Sequence, residues 1–243
     1  HCPQKGRYPA SYVLDQSKRN WIEKKDLFTS IRDVTIVTPS QWLADLVKES
    51  FLQKYPVKVI HNGIDLSVFK PTPSTWKEDH GIDKPIVMAC AAVWDQRKGF
   101  KDVLELADLL PEYQIVIVGI SKKQADSLPG HIIGIQRTES VEELVEIYSS
   151  ADIFANPTYE DNFPTTNLEA LACGVPVVTY DTGGSPECLD ETCGVVIDKG
   201  SVEGLAKAIR KVVENAVFTE MDCLYKATQF NKEIKFLEYF NLY

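Results

Sequence analysis

From residue 85 onward, short apolar runs alternate with stretches whose apolar positions recur at helical spacing. The pattern predicts strands at 86–93, 115–118, 131–134, 153–155, 177–180 and 194–197. Between them it predicts helices at 99–110, 121–127, 141–150, 164–173 and 202–214, with a turn and half-helix after 177–180. Ser140-x-x-Glu143 reads as a capping box for the third helix. Strands and helices of these lengths, strictly alternating, imply right-handed βαβ units: an α/β fold with a parallel sheet and helices on both faces. Upstream, Trp21, Ile22, Leu27, Phe28 and Ile31 mark an amphipathic helix over 16–31, followed by a strand at 34–37. Pro39 then opens a helix carrying Trp42, Leu43, Leu46, Val47 and Phe51 on one side. A strand at 57–60 ends in His61-Asn62-Gly63, and Pro71-Thr72-Pro73-Ser74 is the clearest linker signal. Phe230, Ile234, Phe236, Leu237, Tyr239 and Phe240 make the last fifteen residues an apolar helix that must pack on something.

In open α/β sheets ligands bind beyond the carboxyl ends of the strands, so the loops there carry the candidate chemistry. After the strand at 153–155, Glu160, Asp161, Asn162 and Phe163 lead into a helix whose expected first turn is Pro164-Thr165-Thr166. Proline suits the first helical position, and the amides behind it, with the helix dipole, suit an anion such as a phosphate. Glu169 shares a face with Thr165 and Thr166. A carboxylate repels phosphate but accepts from paired sugar hydroxyls, so anion site and acceptor together suggest a nucleotide-sugar. The plainer alternative is that Asp161 or Asn162 caps the helix and Glu169 is solvated. Arg97 and Lys98, just before Gly99, suit a diphosphate or a solvated helix cap. Gly119, Gln136, Arg137 and the Gly183-Gly184 pair follow three other strands, as close-approach positions or as ordinary turns.

A net charge of −9 over 243 residues argues against non-specific nucleic-acid binding and offers no polybasic membrane anchor. An acidic chain with an anionic ligand must gather its cations locally, which raises the weight of Arg97 and Lys98. The six cysteines, at 2, 90, 173, 188, 193 and 223, include no C-x-x-C, and the four histidines are scattered. Neither a zinc site nor a redox motif is expected. Cys90 and Cys173 read as small core residues, and a reducing cytoplasm as the compartment. No apolar run is long enough to cross a bilayer. The chain begins at His1 without a signal-peptide pattern and reads as a fragment.

Asp161, seven residues, Glu169-Ala170 and then Gly174-Val175-Pro176-Val177 resembles the signature of retaining GT-B glycosyltransferases of family 4. The first acid is Asp where the family has Glu, with Glu160 one place early. Lys98-Gly99 matches the family's Gly-Arg-Leu-x-x-x-Lys-Gly, but the family's arginine falls on Val93. Val34 to Ser40 is similar to the last strand-to-helix step of the acceptor-side domain, and Val59 to Asp65 to the interdomain crossing.

The resemblance implies residues 1–62 as a remnant of the N-terminal domain, an incomplete Rossmann-like domain, and 63–228 as the Rossmann-like nucleotide-sugar domain. Residues 229–243 would form a helix returning to the N-terminal part. It implies transfer of a hexosyl group, with retention, from a nucleoside diphosphate sugar to a saccharide or lipid-linked saccharide acceptor, in surface polysaccharide or glycoconjugate synthesis. Lys98 and Arg97 would hold the diphosphate, Asp161 or Glu160 the sugar, Glu169 the ribose, and residues 135–138 the base. Gly183 and Gly184 would lie near the sugar, and His61, in place of a common proline, is structural. No metal or other cofactor is expected, and membrane contact only through the missing domain. A sugar-nucleotide epimerase, or a donor-binding fragment without activity, are the alternatives.

Overall fold

The computed structural model describes residues 15–242. The chain divides after Val59 into two compact units. The first comprises helix α1 (Ser17–Thr29), strand β1 (Ile36–Thr38), helix α2 (Gln41–Lys48) and strand β2 (Val57–Val59). The two strands pair in parallel, with Ile36 opposite Val57. The strand begins two residues later than its apolar run, and Pro39 precedes the cap instead of opening the helix. Ser40 is the N-cap of α2, its hydroxyl accepting from the Leu43 amide. The Tyr55 hydroxyl donates to the carbonyls of Phe28 and Ile31, and Lys54 to that of Thr29. These bonds satisfy carbonyls that a helix end leaves open. Helix α1 forms as predicted, but its stripe of Trp21, Ile22, Leu27 and Phe28 is exposed.

The second unit holds α3 (Trp76–Asp79), β3 (Ile86–Cys90), α4 (Phe100–Leu109), β4 (Gln114–Val118), α5 (Lys122–Ala125) and β5 (Ile132–Ile135). It continues with α6 (Val141–Ser149), β6 (Ile153–Asn156), α7 (Thr165–Ala172), β7 (Val177–Tyr180) and a 3-10 turn at Pro186–Cys188. Strand β8 (Gly194–Ile197) and helices α8 (Val202–Glu214), α9 (Glu220–Thr228) and α10 (Lys232–Phe240) complete it. The sheet is parallel throughout, in the order β5-β4-β3-β6-β7-β8. Successive strand residues point to opposite faces. Ile86, Met88, Phe154 and Val177 accordingly pack with Tyr148, Leu168 and Leu171 of α6 and α7. Val87, Ala89, Ile117 and Val178 pack with Val103, Leu106, Leu205 and Ile209 of α4 and α8. Both faces are covered, as a parallel sheet requires.

Several expectations are corrected. Strand β3 stops at Cys90, because the chain turns there to seat Trp94, whose indole donates to the Val118 carbonyl. Ser140 caps α6, but the Glu143 carboxylate returns to the Glu139 amide instead of completing the box. Pro71 to Ser74 is no boundary. Thr72 donates its amide to the Ser149 hydroxyl, and the Ser150 hydroxyl donates to that of Ser74, so the segment lies on the end of α6. Ile64 bridges Asn231, with the Ile64 amide on the Phe230 carbonyl and the Lys232 amide on that of Ile64. Helix α9, with its Thr219–Asp222 capping box, is an element the periodicity missed. Along α10, Ile234, Phe236, Leu237, Tyr239 and Phe240 are exposed. Among the described residues no helix is long and apolar enough to cross a membrane.

Candidate functional site

Strand order reverses between β3 and β6: β4 and β5 lie beyond β3, and β7 and β8 beyond β6. The loops leaving β3 and β6 diverge at such a point and open a crevice outside the strand ends. Residues 91–99 form one wall and 157–164 the other.

The first wall is set by Asp95. One of its carboxylate oxygens accepts from the amides of Arg97 and Lys98, and the other from the Arg97 guanidinium at 3.0 Å. Partial burial pushes the Asp95 carboxyl up, but the Arg97 and Lys98 donors outweigh it and hold the group below its ordinary value. Arg97, expected on a diphosphate, is thus folded onto its own loop. Gly99, at φ 74°, is the N-cap of α4. A Cβ there would meet the Pro157 carbonyl, so the two walls touch backbone to backbone. The Arg97 carbonyl accepts from the Tyr159 amide at 2.6 Å and the Thr158 hydroxyl at 3.2 Å.

Across this seam Lys98 Nζ meets Asp161 Oδ2 at 2.5 Å. The other Asp161 oxygen accepts from the Phe163 amide, and its carbonyl from the Gly184 amide. Gly183, at φ 55°, has no room for a Cβ against that same carbonyl. The loop after β7 therefore leans on Asp161 through both glycines. Neither Asp161 nor Asn162 caps α7. The N-cap is Pro164, extended at φ −72° and ψ 113°, and no side chain caps the first turn. The helix thus begins one residue later than expected, with proline at the cap instead of the first helical position.

Glu160, Asn162 and Thr165 are exposed, and Thr166 is half-buried. Phe163 and Pro164 are buried. The Phe163 ring stacks on His61 at 4.7 Å and lies 5.6 Å from Phe230, while Asn62 donates to its carbonyl. Phe163 therefore anchors the loop from beneath, and His61 is part of that stack. Glu169, one turn into α7, is largely buried and accepts from the Tyr148 hydroxyl at 2.9 Å. Burial pushes its carboxyl up, opposed by hydrogen bonds from Tyr148 and Thr165. Burial beside this carboxylate also pushes the thiols of Cys90 and Cys173 up to about 12.

The remaining candidates lie on other loops. Gly119, at φ 90°, presses on the Ala91 carbonyl, and its amide donates to the Ile135 carbonyl. Its close approach is thus to neighbouring backbone. Gln136 and Arg137 are exposed beyond the edge strand β5. Val93 is 69% exposed.

One element of the site went unread. Asp102, buried in the first turn of α4, accepts from Tyr159 at 2.8 Å and from Tyr180 at 2.7 Å. Burial, then the Asp102 bond, pushes the Tyr159 phenol up to about 12. The Tyr159 carbonyl accepts from Thr182, so this residue ties the loops after β3, β6 and β7 together. The one signal in the sequence was an acid a single turn before Leu106 on the apolar face of α4.

The family model described as glycosyl transferases group 1 matches residues 74–230, more than half of the chain. The chain belongs to this family. D-inositol 3-phosphate glycosyltransferase of Corynebacterium jeikeium (strain K411) is 29% identical over 205 residues, covering 74% of this chain and 49% of that protein. The enzyme of the same name from Mycolicibacterium smegmatis is 29% identical over 174 residues, covering 65% and 40%. The chain thus spans about half the length of the curated relatives it matches.

Among solved structures, sucrose-phosphate synthase from Thermosynechococcus elongatus superposes with a TM-score of 0.81 at 20% identity, covering 96% of this chain and 63% of that one. Anabaena Alr3699/HepE in complex with UDP superposes with a TM-score of 0.78 at 18% identity, covering 95% and 68%. The likeness establishes the Rossmann-like parallel fold of GT-B glycosyltransferases for this group 1 chain.

Proposed function

We propose that the chain is the donor-binding part of a retaining family 4 glycosyltransferase. It moves a hexosyl group from a nucleoside diphosphate sugar to a hydroxyl of a saccharide or lipid-linked saccharide. The observation that carries this reading is the meeting of Lys98, Asp161 and the uncapped start of α7 at the reversal of strand order. It is supported by family membership, by relatives named D-inositol 3-phosphate glycosyltransferase, and by a neighbour of the same fold solved with UDP and with UDP-glucose.

In this reading the unit from Ile60 onward holds the donor and the residues before it belong to the acceptor side. Lys98 and the amides at the start of α7 receive the diphosphate, Glu169 the ribose hydroxyls, and Asp161 the sugar. The bond from anomeric carbon to diphosphate oxygen breaks as the bond to the acceptor oxygen forms, and the acceptor proton leaves with the diphosphate. Negative charge grows on the leaving group, beside Lys98 and these amides, and preorganised donors of this kind stabilise the transition state. No cofactor is assigned, since these groups supply the positive charge. A cytoplasmic setting, with the acceptor at the inner face of a membrane in glycoconjugate synthesis, completes the reading.

The test is nucleoside diphosphate release from UDP-, GDP- and ADP-sugars by the full-length protein, with and without saccharide acceptors. Acceptor-dependent release that falls about 10²–10³-fold in Lys98→Ala is expected. Release that ignores both acceptor and substitution contradicts the reading.

A further inference from the structure

The assignment of Glu169 to the ribose raises the question of what holds its carboxylate, and the answer proposed here rests on that assignment. The Tyr148 side chain enters from α6, is fully buried, and is confined by the Phe154 ring at 5.6 Å and the Phe69 ring at 6.4 Å. Its hydroxyl donates to Glu169 Oε2 at 2.9 Å. An ionised carboxylate offers about four acceptor positions. With Tyr148 on Oε2, the other oxygen, Oε1, keeps both of its positions, the number a vicinal diol requires.

We propose that Tyr148 is a positioning residue that locks Glu169 in a single rotamer, with two acceptor positions left for the paired hydroxyls of the donor's ribose. The titratable groups facing Glu169 are Tyr148 from α6, Cys90 at the end of β3, and Cys173 at the C-cap of α7. Burial keeps all three neutral near physiological pH. Glu169 alone among them changes charge on the acid side, and the Tyr148 hydrogen bond favours its ionised form. Removing that hydroxyl shifts the acid-side loss of affinity to higher pH.

The experiment is calorimetric titration of the chain with UDP, GDP and ADP between about pH 5 and 8, for wild type, Tyr148→Phe, Glu169→Gln and the double variant. The expected result is roughly tenfold weaker binding by Tyr148→Phe, the scale of one hydrogen bond to a charged group. Its pH midpoint should rise, and in the Glu169→Gln background the same substitution should have no further effect. An unmoved midpoint, or equal losses in both backgrounds, overturns the inference and leaves Tyr148 a core residue. If wild type and Glu169→Gln bind alike, or neither binds, the ribose assignment itself fails, whatever Tyr148 does.

Discussion

Lys98 and Asp161 were separately legible in the sequence, but their pairing was not, because it spans 63 residues of chain and depends on strand order. The pair gives a prediction with a definite sign. Asp161 places a negative charge beside the proposed diphosphate position while holding Lys98 across the crevice. Asp161→Asn should tighten binding of a free nucleoside diphosphate about three- to tenfold and depress transfer from the sugar-linked form. Weaker binding of the free diphosphate in calorimetry would contradict it.

Glu169 gives a second prediction. Its carboxyl is raised in the fold, so ionisation costs stability; the cost is absent below the ordinary carboxylate range and grows as pH rises through and beyond it. In the ligand-free chain Glu169→Gln should therefore melt higher than wild type at neutral pH, by about 2–4 °C per kcal/mol relieved, and the gap should close toward acid. A lower melting temperature at neutral pH would mean that the carboxylate is stabilised where it stands. Arg97 has a local partner the sequence offered: Asp95, two residues earlier, accepts from the guanidinium and from the Arg97 and Lys98 amides together.

At the scale of elements, the predicted strands 177–180 and 194–197 and the helix 202–214 match the structure to the residue. Each lies next to a proline, glycine or serine whose backbone role is local. Errors arise where distant partners decide, as at the end of β3, or where a helix breaks the apolar pattern, as α9 does by exposing Met221 and Tyr225 and burying Lys226. The Asp102 cluster was unreadable for the first reason, its partners lying 57 and 78 residues away. Asp102→Ala would leave two phenol hydroxyls without their acceptor, at about 1–3 kcal/mol for each one buried. A fall of roughly 2–4 kcal/mol in urea denaturation is expected; a loss under about 0.5 kcal/mol, the level of an ordinary surface change, would remove the cluster from the account. Gly99→Ala should destabilise comparably, by about 2 kcal/mol or more. It adds a side chain at positive φ against the Pro157 carbonyl, where the two walls of the crevice meet.

At the scale of the molecule, the chain carries a net charge of −9 and gathers Lys98 and the start of α7 at one crevice. The central claim is that this crevice binds a nucleoside diphosphate. Thermal shifts of the chain with UDP, GDP and ADP test it most directly, with Lys98→Ala and Glu169→Ala alongside. At about 100 times its dissociation constant a ligand adds roughly 2.7 kcal/mol, or about 5–10 °C for a chain of this size. The account predicts that one of the three raises the wild-type melting temperature by that amount and leaves both variants nearly unmoved. No shift with any of them, or an equal shift in the variants, would contradict it.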